Sequence, residues 1–266
     1  MKILRSILTL SLIILSLYAC VPMNNYVVKE PGTLNLAYDF PQAQTKKTNL
    51  SIAIVSPQMA GDPKMNNMYV NMNQAQMAQP WLNPYFFNSR FFAYKDQVIT
   101  GFDNGLQELI TRKGFNVKGP YSTFDDLTFN DKKEAYLALI PSLNVNIEKK
   151  GIQKGGSFDV YTETGIIQVN GELRLDFIEP MTKEKVLVQR INLSSLNVEK
   201  PYKIQGTTGA IAAAFVKSED TSDQALADAC NEFYRKAMGK IWEFVSEEEL
   251  LGYKKQIQDL KGLKRF

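Results

Sequence analysis

Histidine is absent from this 266-residue chain, and cysteine occurs only twice, as Cys20 and Cys230. Without histidine the chain cannot form a Ser-His-Asp or Cys-His catalytic unit, a zinc site with imidazole ligands or a histidine pH switch. With two cysteines it has no disulfide framework. These absences exclude several classes of enzyme, and we expect a protein that is not an enzyme and that uses no metal and no cofactor.

The chain also has little net charge. The chain has 31 basic and 28 acidic side chains, and the resulting net charge of +3 is too small to indicate a nucleic-acid partner. With 44% hydrophobic and 22% charged residues, the composition is that of an ordinary globular protein with enough apolar material for a full core. The length predicts one large domain or two small ones.

The N-terminus has the pattern of a secretory signal. Lys2 and Arg5 precede an apolar stretch from Ile7 to Leu17. This stretch is shorter than the roughly 20 residues that a membrane-spanning helix needs. We therefore predict that residues 1–19 are a signal peptide and are not part of the fold.

The end of this signal predicts a lipid anchor. Leu17-Tyr18-Ala19-Cys20 resembles a bacterial lipobox, in which the chain is cut before a cysteine that becomes diacylated. We expect lipidation at Cys20, with residues 20–33 as a tether. Val21 and Pro22 follow in place of the aspartate that commonly retains lipoproteins in the inner membrane, so the resemblance implies the outer membrane. The leaflet is left open.

Strand and helix patterns are interspersed over the rest of the chain. Apolar runs and alternation predict strands over 34–40, 50–55, 115–117, 136–147, 167–177 and 186–193. Apolar residues near a 3.6-residue period predict two main helices, over 91–113 and 222–250, and residues 124–135 fit a short helix or a turn. We expect an α+β fold in which a single mixed or largely antiparallel sheet of five or six strands is packed by these two helices.

Three local features refine this prediction. Pro141 interrupts its strand, which indicates a sheet edge or a bulge. Gly101 and Gly105 lie four residues apart on the first helix, and close packing is the expected reason. Cys230 falls on the apolar face of the last helix, so we expect a buried and unreactive thiol.

The domain is predicted to run from residue 34 to residue 253. It includes an irregular loop over 57–84 that is rich in Met, Asn and Gln and has neither the helical nor the strand period. Loops of this length inside a domain are usually functional or disordered. Residues 254–266 form a basic C-terminal tail.

Several short segments resemble one known family. They are Leu36-Ala37-Tyr38, Asp125-Asp126-Leu127, the run from Lys132 to Ala138, Ile178-Glu179-Pro180-Met181 and Ser222-Asp223. In this order and spacing they resemble the neuraminyllactose-binding hemagglutinin family of surface lipoproteins, also called flagellar sheath adhesins. The similarity runs from about Leu34 to the C-terminus, apart from the irregular loop.

The resemblance implies a palmitate-bearing lipoprotein of the outer membrane or the flagellar sheath. Such a protein acts as an adhesin that binds sialylated glycans of host cells without catalysis. The alternative is a structural or assembly lipoprotein of the cell envelope or flagellar sheath whose partner is another protein.

The first candidate site is a basic segment, Lys149-Lys150-Gly151-Ile152-Gln153-Lys154-Gly155-Gly156. It matches the family's proposed sialic-acid motif, a basic string around an Ile-Gln pair, which implies glycan binding by Lys149, Lys150, Gln153 and Lys154. Ammonium groups suit a carboxylate, and the amide suits sugar hydroxyls. The competing interpretation is a flexible, solvated loop between strands that end near Ile147 and begin near Phe158.

The second candidate site is an aromatic cluster at the end of the irregular loop. It contains Trp81, Tyr85, Phe86 and Arg90, with Phe87 and Phe91 beside them. Exposed rings with an arginine are typical of lectin and protein interfaces. The competing interpretation is that these rings hold the loop against the core, since large aromatic residues are generally buried.

Overall fold

The computed structural model describes residues 34–42, 47–59, 86–157, 160–207 and 218–263. The strands are β1 (Ser51–Val55), β2 (Gln58–Met59), β3 (Asn116–Tyr121), β4 (Leu137–Ser157), β5 (Val160–Ile178), β6 (Lys185–Asn192), β7 (Glu199–Thr207) and β8 (Glu219–Asp220). The helices are α1 (Phe86–Ala93), α2 (Lys95–Arg112), α3 (Phe129–Glu134), α4 (Ser222–Phe244), α5 (Glu247–Gly252) and α6 (Lys254–Leu263). None of these helices is long and apolar enough to cross a membrane.

The eight described strands form one mixed sheet in the order β3-β1-β4-β5-β7-β8, with β2 beside β4 and β6 beside β5. Strand β1 runs parallel to β3 and β4, β2 runs parallel to β4, and the remaining pairs are antiparallel. The α+β fold with a single sheet is confirmed. Five of the six predicted strands are present, as β1, β3, β4, β5 and β6. The strands that were not predicted are β2, β7 and β8, and β2 and β8 have two residues each, too few to give a sequence pattern.

Strands β4 and β5 are much longer than the others, with 21 and 19 residues. One edge of β5 pairs with β7 along residues 160–168 and with β6 along residues 172–178. We call the three-stranded part formed by residues 147–157, 160–169 and 199–207 the arm. It lies beyond the last residues of β4 that β1 and β2 reach, Leu139 and Leu143.

The predicted main helices, α2 and α4, pack together over the sheet. Phe102 of α2 lies 5.2 Å from the ring of Tyr234 and 5.9 Å from that of Phe233, both on α4. A Cβ atom at Gly105 would overlap with the hydroxyl of Tyr234, and one at Gly101 would lie 2.6 Å from Cδ1 of Leu36. Close packing is therefore confirmed as the reason for these two glycines.

The prediction of a strand over residues 34–40 is wrong. These residues are extended and alternate between buried and exposed, as the sequence indicates, but they belong to no strand of the sheet. Leu36 crosses α2 at Gly101, and the ring of Phe40 lies 5.6 Å from that of Trp242 on α4. An alternating pattern indicates only that one face of a segment is buried. Here helices cover that face, and the backbone does not pair with a strand.

Two predictions about β4 are corrected. The strand is interior at Pro141, between β5 and the β1–β2 side of the sheet. The proline is accommodated because β1 pairs only up to Leu139 and β2 begins to pair at Ser142. The segment after Ile147 is not a flexible loop: β4 continues to Ser157 and pairs with β5 residue by residue apart from one bulge.

The titratable groups of the core predict a specific pH profile of stability. Burial raises the pKa values of Tyr136, Tyr234 and Cys230 to about 12. Above pH 10 the unfolded chain loses these protons before the folded chain does, so the free energy of unfolding should fall between about pH 10 and 12. Burial lowers the pKa of Lys149, which acts in the opposite direction, because the unfolded chain then holds the extra proton.

Near neutral pH we expect no change, because the chain has no histidine to titrate there. Urea midpoints should be constant from about pH 6 to 8 and should decrease above about pH 10. A midpoint that changes steadily between pH 6 and 8 would contradict this assignment.

Candidate functional site

The arm has two chemically different faces. Lys200 of β7 pairs with Glu232 of α4 at 2.5 Å, and Lys149 of β4 lies against Phe87 of α1, so this inner face is turned toward the helices. Neighbours in register across a sheet share a face. Lys150 is in register with Ile166, and Ile166 with Pro201, which places this row on the outer face.

The basic segment is divided between these faces. Lys149 and Lys154 lie on the inner face, where both approach the carboxylate of Glu163. Lys150 and Gln153 lie on the outer face, in register with Ile166 and Thr164. The structure therefore does not bring the four predicted glycan-binding residues together into one site.

Lys149 forms the centre of a buried polar cluster. Its Nζ donates to Oε1 of Glu163 at 2.8 Å, and the hydroxyl of Tyr202 donates to the same oxygen at 2.8 Å. The side chains of Lys149 and Glu163 are only 7% and 3% exposed. Burial lowers the pKa of Lys149, and the hydrogen bond that its ammonium group donates to Glu163 offsets part of that change. A lysine in this position holds strands together and is not presented to a ligand.

Helix α1 covers this cluster and fixes the start of the arm. Nζ of Lys149 lies 5.7 Å from the ring centres of Phe86 and Phe87. The amide of Asn88 donates to the carbonyl of Ile147 at 3.1 Å and accepts from its backbone N–H at 2.7 Å, as a neighbouring strand would. Helix α1 thus takes the place of a strand at the edge of β4.

Arg90 connects α1 to the beginning of α4. Its Nη1 donates to Oγ of Ser222 at 2.8 Å, and its Nη2 forms an ion pair with Asp223. Arg90 is 9% exposed and Ser222 is fully buried. Asp223 in the first turn of α4 also interacts favourably with the helix dipole.

The predicted aromatic site is only partly described. Trp81 and Tyr85 lie outside the described residues. Phe86, Phe87 and Phe91 are buried, and the ring centre of Phe87 lies 4.9 Å from that of Tyr202. The described members therefore pack against the core and the arm.

A groove lies on the outer face of the arm. It has a volume of about 470 Å³ and is open to solvent, and its wall combines polar and apolar groups. The side chains that line it include Gln153, Thr164, Ile166, Pro201, Lys203 and Thr221. The volume falls within the range of small-molecule sites, roughly 300–1,000 Å³.

A bulge in β4 lies beside the groove. Residues 151 and 152 together lie opposite Gly165 alone, because Lys150 is in register with Ile166 and Gln153 with Thr164. Gly151 has a φ of +57°, a conformation that favours glycine. A bulge bends its strand and increases the local twist. Gly151, which resembles a loop residue in sequence, therefore belongs to the bulge and is one of the residues that line the groove.

The lysines near the groove differ in how tightly they are paired. Nζ of Lys203 lies 2.6 Å from Glu219, whereas Nζ of Lys150 lies 4.0 Å from Glu199 with both side chains about half exposed. One apolar side chain of this face, Ile166, is 38% exposed beside them. The outer face thus offers a loosely held ammonium group, hydroxyl and amide groups, and an apolar surface.

Sequence reasoning missed several residues of both faces. The position of Glu163 could have been predicted from the sequence. It lies an even number of residues before Ile167 and Val169 on the same strand, so the alternation places it on their buried face. Tyr202, Asn88 and Thr221 had none, since their roles depend on which strands and helices become neighbours. Among the described residues, no group of three His, Cys, Asp or Glu side chains is placed to hold a metal ion.

Comparisons with known proteins agree on one family. The model of the family described as neuraminyllactose-binding hemagglutinin precursor matches residues 82–264. A neuraminyllactose-binding hemagglutinin of Helicobacter pylori is 25% identical over 192 residues, which cover 64% of this chain and 74% of the relative. The protein of that name from strain J99 is 24% identical over the same length and the same shares of both chains.

A solved structure shares the fold. It is the crystal structure of a neuraminyllactose-binding hemagglutinin homolog from Helicobacter pylori, with a TM-score of 0.57 and 18% sequence identity. The match covers 84% of this chain and 99% of the other. The match to the family model, residues 82–264, includes the arm and its supporting helices.

Proposed function

Because the chain belongs to the neuraminyllactose-binding hemagglutinin family, we propose that it is a lipid-anchored adhesin that binds sialylated glycans without catalysis. The family names are those of hemagglutinins and not of enzymes. The observation that carries the proposal is the outer face of the arm, where Gln153 lines a groove of about 470 Å³ and Lys150 is in register with Ile166, which also lines it.

The chemistry of this face suits such a ligand. A sialylated glycan ends in a sugar that carries a carboxylate and several hydroxyl groups. The ammonium group of Lys150 pairs with a carboxylate, and the amide of Gln153 both donates to and accepts from hydroxyls. Lys154 is 58% exposed, but it belongs to the inner face, beside Glu163. We therefore assign glycan contact to Lys150 and Gln153.

Removal of sialic acid from a target tests this function directly. The purified chain should bind an immobilised sialylated glycoprotein in surface plasmon resonance, and sialidase treatment of that glycoprotein should abolish the signal. An assembly lipoprotein with a protein partner is the alternative, and its binding would be insensitive to sialidase. Equal binding before and after treatment would refute the adhesin proposal.

The anchor is the second part of the proposal. We propose cleavage after residue 19, lipidation of Cys20, a tether over 20–33 and a domain over 34–253, at the outer membrane or on the flagellar sheath. At about 0.8 kcal/mol per buried methylene group, two or more acyl chains give stable attachment.

Substitution in the lipobox checks this anchor. Leu17→Glu replaces the apolar lipobox residue with a charged one, and Cys20→Ser removes the acceptor thiol. Both variants should lose incorporation of radiolabelled palmitate, while Cys230→Ser should keep it, because Cys230 is buried in α4. Labelling of the Cys20→Ser variant at the wild-type level would contradict the assignment.

An adhesin must also face outward. Protease added to intact cells should digest the arm if the domain is exposed on the surface. Complete protection on intact cells, together with digestion after lysis, would place the domain in the periplasm and favour the assembly role.

A further inference from the structure

We infer that the folded domain docks on the bilayer that holds its anchor, through the end of the sheet opposite the arm, where Phe129 and Leu263 enter the headgroup region. The inference rests on the anchor part of the proposed function and adds to it a second membrane contact, made by the domain itself. We call Phe129, Lys133, Lys255 and Leu263 the basal patch. Its partner is the surface of a phospholipid bilayer with anionic headgroups.

Phe129 and Leu263 are the most exposed large apolar side chains among the described residues. Phe129 is 67% exposed and Leu263 is 71% exposed, whereas the next, Ile152, is 44% exposed. A large apolar side chain that stays in water does not gain the free energy of apolar burial. Two of them at one end of a domain favour a partner with an apolar interior.

Lys261 joins the two helices that carry these side chains. Its Nζ donates to the carbonyl of Lys133 at 3.0 Å and to that of Ala135 at 2.6 Å, at the C-terminal end of α3. Phe129 lies four residues before Lys133 on α3, and Leu263 lies two residues after Lys261 on α6. Because an α-helix rises about 1.5 Å per residue, each apolar residue is within about 6 Å of this contact along its own helix axis. Both therefore lie at the same end of the domain.

The charges at this end suit anionic headgroups. The two carboxylates of α3, Asp131 and Glu134, both pair with Lys118. Helix α6 has three lysines against one aspartate, and the side chains of Lys133 and Lys255 are exposed. Lysines near an anionic membrane surface contribute to binding.

Apolar contact supplies the larger part of the binding free energy. Glu184 and Asp259 line the same groove as Lys255 and Leu263 and offset part of the attraction to phosphate groups. Removal of an exposed ring or an aliphatic side chain from water does not depend on that balance. We therefore expect docking to depend more on Phe129 and Leu263 than on any single lysine.

The basal patch and the arm lie at opposite ends of the longest strand. Strand β4 begins at Leu137, two residues after the Ala135 carbonyl that Lys261 contacts, and it ends at Ser157 in the arm. At about 3.3 Å per residue, its 21 residues span up to roughly 70 Å. A domain that docks through the basal patch therefore holds the arm away from the membrane.

The tether is long enough for this orientation. The backbone N–H of Leu34, the first described residue, donates to the side chain of Gln97 near the start of α2. Helix α2 has 18 residues, about 27 Å, and leads into β3 at the end of the sheet where β1 and β4 also begin. Residues 20–33 reach up to about 45 Å when extended, which exceeds that length. The anchor and the basal patch can therefore reach one bilayer together.

Single-cysteine variants of the lipidated full chain test the inference in vesicles of phosphatidylethanolamine and phosphatidylglycerol. Phe129→Cys, Leu263→Cys and Lys154→Cys each add one exposed thiol for a polarity-sensitive nitrobenzoxadiazole dye, because Cys230 is buried. At positions 129 and 263 the emission should shift to the blue, and spin-labelled lipid should quench it at least about twofold. At position 154, in the arm, the dye should report water and remain unquenched.

A matched pair of variants measures the apolar contribution, with the dye at position 263. Phe129→Asp should lower the ratio of docked to free domains about tenfold, because the ring is no longer removed from water. Ile152→Asp makes the same kind of change at an exposed apolar residue of the arm and should leave the quenching unchanged. The urea midpoint of the Phe129 variant should match the wild type, because the ring is exposed.

The outcomes separate this inference from the anchor on which it rests. If the wild type carries no palmitate and does not stay with the vesicles, the anchor proposal fails, and the inference fails with it. If the chain is anchored but the dyes at positions 129 and 263 remain in water, only the inference is wrong. A blue shift without quenching by spin-labelled lipid would show that protein, such as a second copy of the chain, covers the basal patch, and this too would overturn the inference.

Discussion

Replacement of Glu163 with Gln lowers the free energy of unfolding by about 3–5 kcal/mol, because it leaves the buried ammonium group of Lys149 without its carboxylate. The change is nearly isosteric, and the amide oxygen still accepts from the hydroxyl of Tyr202, so the effect isolates the lost charge. Urea unfolding of wild type and variant measures it directly.

An exposed ion pair provides the matched control. Glu243 pairs with Lys240 at 2.7 Å on α4, and both side chains are about half exposed. Glu243→Gln should change the free energy of unfolding by less than about 0.5 kcal/mol. If Glu163→Gln is as mild as this control, Lys149 is not a buried structural residue.

A double variant separates the charge pair from the packing around it. Lys149→Met leaves the carboxylate of Glu163 buried, with the tyrosine hydroxyl and the more distant Lys154 as partners. Lys149→Met/Glu163→Gln removes both charges and should be more stable than either single variant, since an uncharged pair carries no desolvation cost. Additive losses in the double variant would contradict direct coupling.

Replacement of Asp223 with Asn is expected to lower the free energy of unfolding by about 2–3 kcal/mol. It removes the carboxylate that pairs with Arg90, which is 9% exposed, and it removes a negative charge from the first turn of α4. The effect is smaller than that at Glu163 because Asp223 is itself 26% exposed. Thermal unfolding and urea unfolding both measure it.

Asp228 on the same helix is the matched control. It is exposed and accepts from the side chain of Gln224 at 2.9 Å. Asp228→Asn should be nearly neutral. The Asp223 variant should also keep the glycan affinity of the folded protein, because Arg90 joins α1 to α4 on the helix-covered side of the arm. Loss of binding without loss of stability would show that Arg90 contacts the ligand.

The central elements of the fold were predictable because their residues are buried in a regular pattern. Ile167, Val169, Leu173, Leu175 and Phe177 alternate along β5, and all five are at most 1% exposed. The apolar run before Val55 likewise becomes β1, buried on both faces. The spacing of apolar residues is a property of the local sequence, so it predicts these two strands and their buried positions correctly.

The same reasoning failed where the outcome depends on distant partners. Residues 34–40 alternate like a strand, but only the positions of α2 and α4 decide that helices cover them. Residues 151–157 are rich in glycine and polar groups, and their strand exists because β5 lies opposite. Sequence patterns do not identify such neighbours.

In the candidate site, too, the features set by local sequence could be predicted, and those set by distant partners could not. The composition of the basic segment correctly draws attention to this part of the chain, but it treats adjacent lysines as equivalent. Strand geometry turns Lys149 and Lys150 to opposite faces, and the alternation of Val145 and Ile147 already indicates that Lys149 points inward. The groove could not be predicted, because Ile166, Pro201 and Thr221 come from three separate elements.

The central claim is that two adjacent lysines have different roles: Lys149 stabilises the fold, and Lys150 contacts the glycan. Calorimetric titration of sialyllactose into Lys149→Met and Lys150→Met tests this claim most directly. Lys150→Met should lose about tenfold in affinity with an unchanged urea midpoint. Lys149→Met should unfold at lower urea, while its folded fraction binds like the wild type. The opposite pattern, with binding lost at Lys149 and stability unaffected there, would contradict the account.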